Sequence, residues 1–219
     1  RQMCIRDRLT MDVASSQFNT FVKVYGVLYG VATGLTALLG GMVSWKASES
    51  PDKLVIATLV EFLTLTIGVS VSGVLFDSAM FSIAIPVESR AVYRIDTPLG
   101  VMELLPGDLA LVLMQIVVAY SESTLFHVLL PRVIYHLSPD RGSGLILASL
   151  FPNLLFGSAH YRSWLAIGVV NPWPTVYPSV TAGALATLIG LILAERGYPS
   201  ASGIILAHTL YNIMAVTGR

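Results

Sequence analysis

The chain has 219 residues, of which 54% are hydrophobic and only 12% are charged, and its mean hydropathy is +0.73. A soluble domain carries about a quarter charged residues, so this composition predicts a protein that hides its apolar surface in lipid. The net charge is zero and there is one cysteine, which excludes a basic nucleic-acid surface and a disulfide framework within the chain.

The N-terminal residues differ from everything that follows them. Residues 1–8 are charged and aperiodic, and they resemble a translated sequencing adapter. We therefore set residues 1–10 aside as a non-native or disordered terminus, which makes Cys4 a non-native residue and Met11 a candidate start. Residues 11–219 are expected to form a single transmembrane domain.

Six apolar segments approach the length of about 20 residues that a membrane-spanning helix needs. They cover residues 18–45, 54–85, 109–135, 144–161, 180–194 and 202–216. The second is too long for one straight span, so we expect it to tilt or to break near Gly73 or Asp77. The predicted fold class is all-α, a polytopic bundle of about six transmembrane helices.

Two stretches between these segments are not expected to span. Residues 86–107 carry several charged side chains and are expected to form the main water-exposed loop. The apolar run 164–170 is too short to span alone, so it either extends the fourth helix or lies at the interface. Trp173, just beyond it, suits an interfacial anchor.

Ionisable side chains inside apolar segments cost at least a few kcal/mol, so they usually face the bundle interior and usually have a function. Glu122 lies midway along the third segment, His160 at the end of the fourth, and His208 and Asn212 midway along the sixth. Each alone has a structural explanation, such as a hydrogen bond to a neighbouring helix. Together, a carboxylate, two imidazoles and an amide can activate water and hold an oxyanion.

Other polar side chains in these segments receive structural interpretations. Glu61 and Asp77 are expected to face the bundle or the headgroups. His127 follows Glu122 by five residues, which in an α-helix places it on a different face, so it either supports the site or only packs.

The polar residues resemble the motifs of the CPBP intramembrane proteases. This family, also called the ABI family, includes the CAAX prenyl endopeptidases and bacteriocin-processing relatives, and it carries EExxxR, FxxxH and HxxxN on separate helices. The second motif is present as Phe156 to His160, and the third as His208 to Asn212.

The first motif of the family is only partly present. Glu122 matches its first Glu, but Ser123 stands in place of the second, and His127 stands where Arg is expected. The resemblance covers residues 109–216, and the order of the three motifs in successive apolar segments makes it more specific than any one of them.

The resemblance implies an intramembrane endopeptidase of the metalloendopeptidase class in a prokaryotic cell membrane. It implies that Glu122 and His160 activate water, whereas His208 and Asn212 hold the oxyanion. In this assignment the supporting residues are Ser123, His127 and Phe156. We expect no cofactor; the alternative is zinc or another divalent metal bound by Glu122, His160 and His208.

The expected partners are the lipid bilayer and a membrane-associated peptide or prenylated protein, with no nucleic acid. Two other functions stay open at this stage. One is a non-catalytic scaffold that serves bacteriocin immunity or peptide binding. The other is a small transporter with a proton relay, which is weakened because the sequence has no repeat halves or paired broken helices.

Overall fold

The computed structural model describes residues 50–76, 93–97, 100–104, 109–166 and 171–217, together with the helical positions 27, 30, 31, 34 and 35. The elements in chain order are α1 (Pro51–Phe76), β1 (Tyr93–Thr97), β2 (Gly100–Leu104), α2 (Leu109–Glu122), a π-helical segment (Ser123–Leu129), α3 (Leu130–Leu137), α4 (Arg141–Ala166), α5 (Trp173–Glu195) and α6 (Ser200–Thr217). Residues 1–10 and most of the first predicted span lie outside the described residues.

Helices dominate the described part of the chain, as the composition predicts. Three of them are long and apolar enough to cross a membrane, and the qualifying stretches are Pro51–Val74, Arg141–Tyr161 and Val176–Glu195. The chain is therefore a helical membrane protein. The predicted total of six spans stays a prediction.

The bounds of α1, α4 and α5 differ from those of the predicted segments. α1 continues through Gly73 to Phe76, so the chain does not break at Gly73, and Asp77 lies outside the described residues. α4 continues past Tyr161 to Ala166, which extends the fourth helix into the short apolar run. α5 begins at Trp173 because proline is tolerated in the first turn, where the N–H it lacks has no partner within the helix.

The polar loop contains a feature that the all-α prediction misses. β1 and β2 pair antiparallel, with Tyr93 opposite Leu104 and Thr97 opposite Gly100. Each strand has five residues. Such a short strand lacks the long apolar run that marks a membrane span, so a search for spans passes over it.

Small residues set the close packing of α1 against α5 and α6. A Cβ atom added at Gly68 of α1 would lie 2.5 Å from the Cα of Ala182 in α5. A Cβ atom added at Gly203 of α6 would lie 2.9 Å from the Cβ of Ala57 in α1. Glycine at these crossings lets two helix backbones approach where lipid supplies no hydrophobic driving force.

The substitution Gly68→Ala is expected to destabilise the bundle by about 1–3 kcal/mol, because the new methyl group would force α1 away from α5. The measurement is thermal or denaturant unfolding of the purified protein in detergent. Gly142→Ala is the matched control, since Gly142 is exposed in the first turn of α4 and alanine favours a helix by up to about 1 kcal/mol. Equal stability of the two variants would contradict the close crossing.

Candidate active site

The first motif lies where the third predicted segment changes from α-helix to π-helix. α2 ends at Glu122, and the π-helical segment begins at Ser123. Hydrogen bonds in a π-helix run from residue i to residue i+5, and such turns occur frequently at functional sites. The wider turn brings residues five apart towards one face. His127 is therefore not turned away from Glu122, as the α-helical interpretation predicted, and its ring lies 6.0 Å from that of His208.

The ring of His208 in α6 lies near the side chains of both Glu122 and Ser123, the first two residues of this motif. Its Nε2 is 3.7 Å from Oε2 of Glu122, which is within ion-pair distance but too long for a direct hydrogen bond. Its Nδ1 is 3.0 Å from the Oγ of Ser123. The tautomer with a proton on Nε2 directs that proton at the carboxylate and leaves Nδ1 to accept the hydroxyl proton of Ser123.

Both partners of His208 on the third segment are buried. The side chain of Glu122 is 6% exposed, that of His208 is 12% exposed, and Ser123 is fully buried. A carboxylate that is removed from water interacts strongly with any charge or dipole near it. The geometry thus places a carboxylate, an imidazole and a hydroxyl in one poorly solvated cluster.

His127 is held by a second set of polar side chains from α4 and α5. Its Nδ1 is 3.3 Å from the Oγ1 of Thr187, which also accepts a hydrogen bond of 3.0 Å from Nδ2 of Asn153. Asn153 donates a further bond of 2.7 Å to the backbone carbonyl of Ser149. A Cβ atom added at Gly183 would lie 2.9 Å from Cε1 of His127, so a larger residue there would displace the ring.

His160 is oriented by its own helix. Its Nδ1 lies 3.1 Å from the backbone carbonyl oxygen of Phe156, and the two rings are 4.3 Å apart. A carbonyl only accepts hydrogen bonds, so Nδ1 carries the proton and Nε2 of the neutral ring is left as an acceptor. That is the form a general base needs.

Phe156 connects His160 to the rest of the cluster. Its ring lies 5.2 Å from that of His127 and packs edge to face against it. The FxxxH motif therefore reaches the same region of the bundle as the first motif.

Asn212 is the predicted site residue that the structure ties least to the others. It lies one turn beyond His208 on α6 and is half-buried. Within the described part of the chain, no hydrogen bond connects it to Glu122 or to His160. It shares a helix face with His208, four residues earlier.

The sequence interpretation missed the side chains that hold His127. Asn153 and Thr187 are buried, polar and inside apolar helices, and that pattern alone marks them as interhelical hydrogen-bonding residues.

Glu61 was expected to face the bundle or the headgroups. The structure buries it fully within the bundle.

The zinc alternative stays a prediction at this site. Of the described His, Cys, Asp and Glu residues, no three are placed so that they could share one metal ion. Nδ1 of His208 faces Ser123 and Nδ1 of His160 faces a backbone carbonyl, so Nε2 is the nitrogen through which either ring would bind a metal.

The arrangement can transfer protons and donate hydrogen bonds to a developing negative charge. Glu122 and Nε2 of His160 are candidate proton acceptors, and the N–H groups of His208 and Asn212 are candidate donors.

Comparison of the chain with protein-family models, with curated proteins and with solved structures finds no match.

Proposed function

We propose that this chain is an intramembrane endopeptidase of the CAAX-protease type, which hydrolyses a peptide bond with a water molecule activated by Glu122 and His160. The observation that carries the proposal is the buried Glu122 carboxylate at 3.7 Å from Nε2 of His208 in a bundle of membrane helices. A carboxylate in such a position is costly and is usually functional.

In the proposed reaction, Glu122 takes a proton from water while the water oxygen attacks the carbonyl carbon of the scissile bond. His160 accepts a hydrogen bond from the same water through Nε2 and so orients it. The carbonyl oxygen gains a negative charge, which the N–H donors of His208 and Asn212 stabilise. Glu122 then returns the proton to the leaving amine as the carbon–nitrogen bond breaks.

Ser123 and His127 have supporting roles in this proposal. The Ser123 hydroxyl donates to Nδ1 of His208 and so keeps the proton of that ring on Nε2, where the oxyanion needs it. The ring of His127 packs against Phe156 and so supports the backbone that orients His160.

The proposed substrate is a membrane-associated peptide or a prenylated protein, and the proposed location is a prokaryotic cell membrane. A helical membrane protein meets such a substrate at the lipid surface, where a prenyl chain or an apolar leader already lies. The proposed partners are thus the bilayer and this peptide.

A non-catalytic peptide-binding scaffold is the second candidate. The observation that favours it is the incomplete first motif, in which Ser123 and His127 replace the expected Glu and Arg. In this case the polar cluster would bind a peptide without cleaving it.

Cleavage and binding measured side by side separate the two candidates. The purified protein, reconstituted in lipid vesicles, is incubated with farnesylated peptides and with apolar leader peptides in water enriched in ¹⁸O. We expect cleavage, with ¹⁸O incorporated at the new C-terminus because water is the nucleophile. Binding without cleavage would establish the scaffold, and neither binding nor cleavage would contradict both candidates.

A further inference from the structure

A small cavity lies between α1, α5, α6 and the helix that carries the first motif. Its volume is about 10 Å³, which leaves room for roughly one water molecule. The polar side chains on its wall are Glu61, His127, Arg132 and Ser200. Leu191 and Ile204 supply part of its apolar wall.

Glu61 is the polar group of this cavity that most needs a partner. It is 0% exposed, and neither of its carboxyl oxygens has a hydrogen-bonding partner in the described part of the chain. Gly190 lies against it, since a Cβ atom added there would be 2.9 Å from Oε1. An unsatisfied buried carboxyl group is strongly destabilising, so this site favours a guest that supplies hydrogen bonds.

Water matches both the size and the chemistry of the site. It can donate to an ionised carboxylate, and it can donate to and accept from a protonated one, so it suits Glu61 in either form. Ser200 adds a hydroxyl that both donates and accepts. The guanidinium of Arg132 on the same wall disfavours a metal cation.

The cavity lies between one end of the bundle and the candidate active site. Ser200 begins α6, close to the end where Arg141 pairs with Glu195 at 2.6 Å and where Lys53 donates to the carbonyl of Gly197. His208 lies about 12 Å further along the same helix. His127 lines the cavity and also lies against the ring of His208, so it forms the boundary between the two.

We propose that this cavity is a water-binding site anchored by Glu61, from which water reaches the Glu122–His208 cluster past His127. The binding of water depends only on the cavity and on Glu61. The supply of water to the cluster rests on the proposed hydrolytic function, because hydrolysis consumes one water for each bond cleaved.

Hydroxyl-radical footprinting with X-ray pulses tests the water site directly, since radicals made from bound water label the side chains beside it. The protein in lipid nanodiscs is irradiated, and the labelling rates of its residues are measured by mass spectrometry. Leu191 and Ile204 line the cavity and are 3% and 2% exposed. The reference pair, Leu65 and Val69, lies outside the cavity lining and is slightly more exposed, at 7% and 5%. We expect Leu191 and Ile204 to label several-fold faster. Equal rates in the two pairs would overturn the water site without the use of any variant.

Substitutions of Glu61 then test the anchor. Glu61→Leu removes both oxygens at similar size and should abolish the fast labelling, whereas Glu61→Gln keeps hydrogen-bonding atoms and should retain it. Ser72→Ala is the matched control, because Ser72 is another fully buried polar side chain of α1 without a described hydrogen-bonding partner, and it lies outside the cavity. Unchanged labelling in Glu61→Leu would show that Glu61 is not the anchor.

The supply of water is tested by turnover in the same variants. We expect Glu61→Leu to lower kcat by about tenfold with KM unchanged, and Glu61→Gln to restore most of the rate. Normal turnover in a Glu61→Leu variant that has lost its fast labelling would separate the water site from hydrolysis. If the chain cleaves no peptide at all, the proposed function fails, and the footprint still decides whether water binds at Glu61.

Discussion

Replacement of Glu122 by glutamine is expected to lower the rate of peptide cleavage by about a thousandfold or more. The amide keeps the shape of the side chain, but it cannot take a proton from water. Stability should be unchanged or slightly higher, because a neutral amide is less costly to bury than a carboxylate. The measurements are kcat on a cleaved peptide and the unfolding midpoint in detergent.

Glu195→Gln is the matched control for this experiment. Glu195 forms an ion pair with Arg141 at the end of the bundle, where both side chains are partly exposed. Exposed ion pairs contribute about 0–1 kcal/mol, so this variant should fold and cleave like the wild type. A Glu122→Gln variant with the full wild-type rate would remove Glu122 from the reaction.

The second large effect is expected at Asn212. In the proposed reaction its amide N–H donates to the oxyanion, which exists only in the transition state, so Asn212→Ala should lower kcat about a hundredfold or more with little change in KM. Asn171→Ala serves as the control, since Asn171 is an exposed amide ahead of α5 whose side-chain oxygen accepts a hydrogen bond from the backbone N–H of Trp173. A rise in KM with unchanged kcat would assign Asn212 to substrate binding instead.

Zinc content provides an independent check on the oxyanion assignment. We expect purified protein to hold well under one zinc per chain and to cleave peptides after exhaustive chelation. Stoichiometric zinc that is lost in both His160→Ala and His208→Ala, together with chelator-sensitive activity, would instead establish a metal centre.

Much of the helical framework can be predicted from the sequence because its signal is local. The apolar segment predicted over 202–216 corresponds to α6, and the spacing of His208 and Asn212 places both on one face of that helix whatever surrounds it. The same reasoning identifies Phe156 and His160 as neighbours on α4, where the structure places their rings 4.3 Å apart. Only the periodicity of a single helix is needed for these inferences.

Distances between helices depend on how the bundle packs, and no local pattern contains them. The contact between His208 and Ser123 joins residues 85 positions apart, and Ser123 begins the π-helical turn that the α-helical interpretation did not include. Glu61 is fully buried because Gly190 lets α5 approach its carboxyl group, which a count of polar residues in α1 cannot show. The tertiary structure decided these features because each one depends on the side chains of two or more helices at the point where they cross.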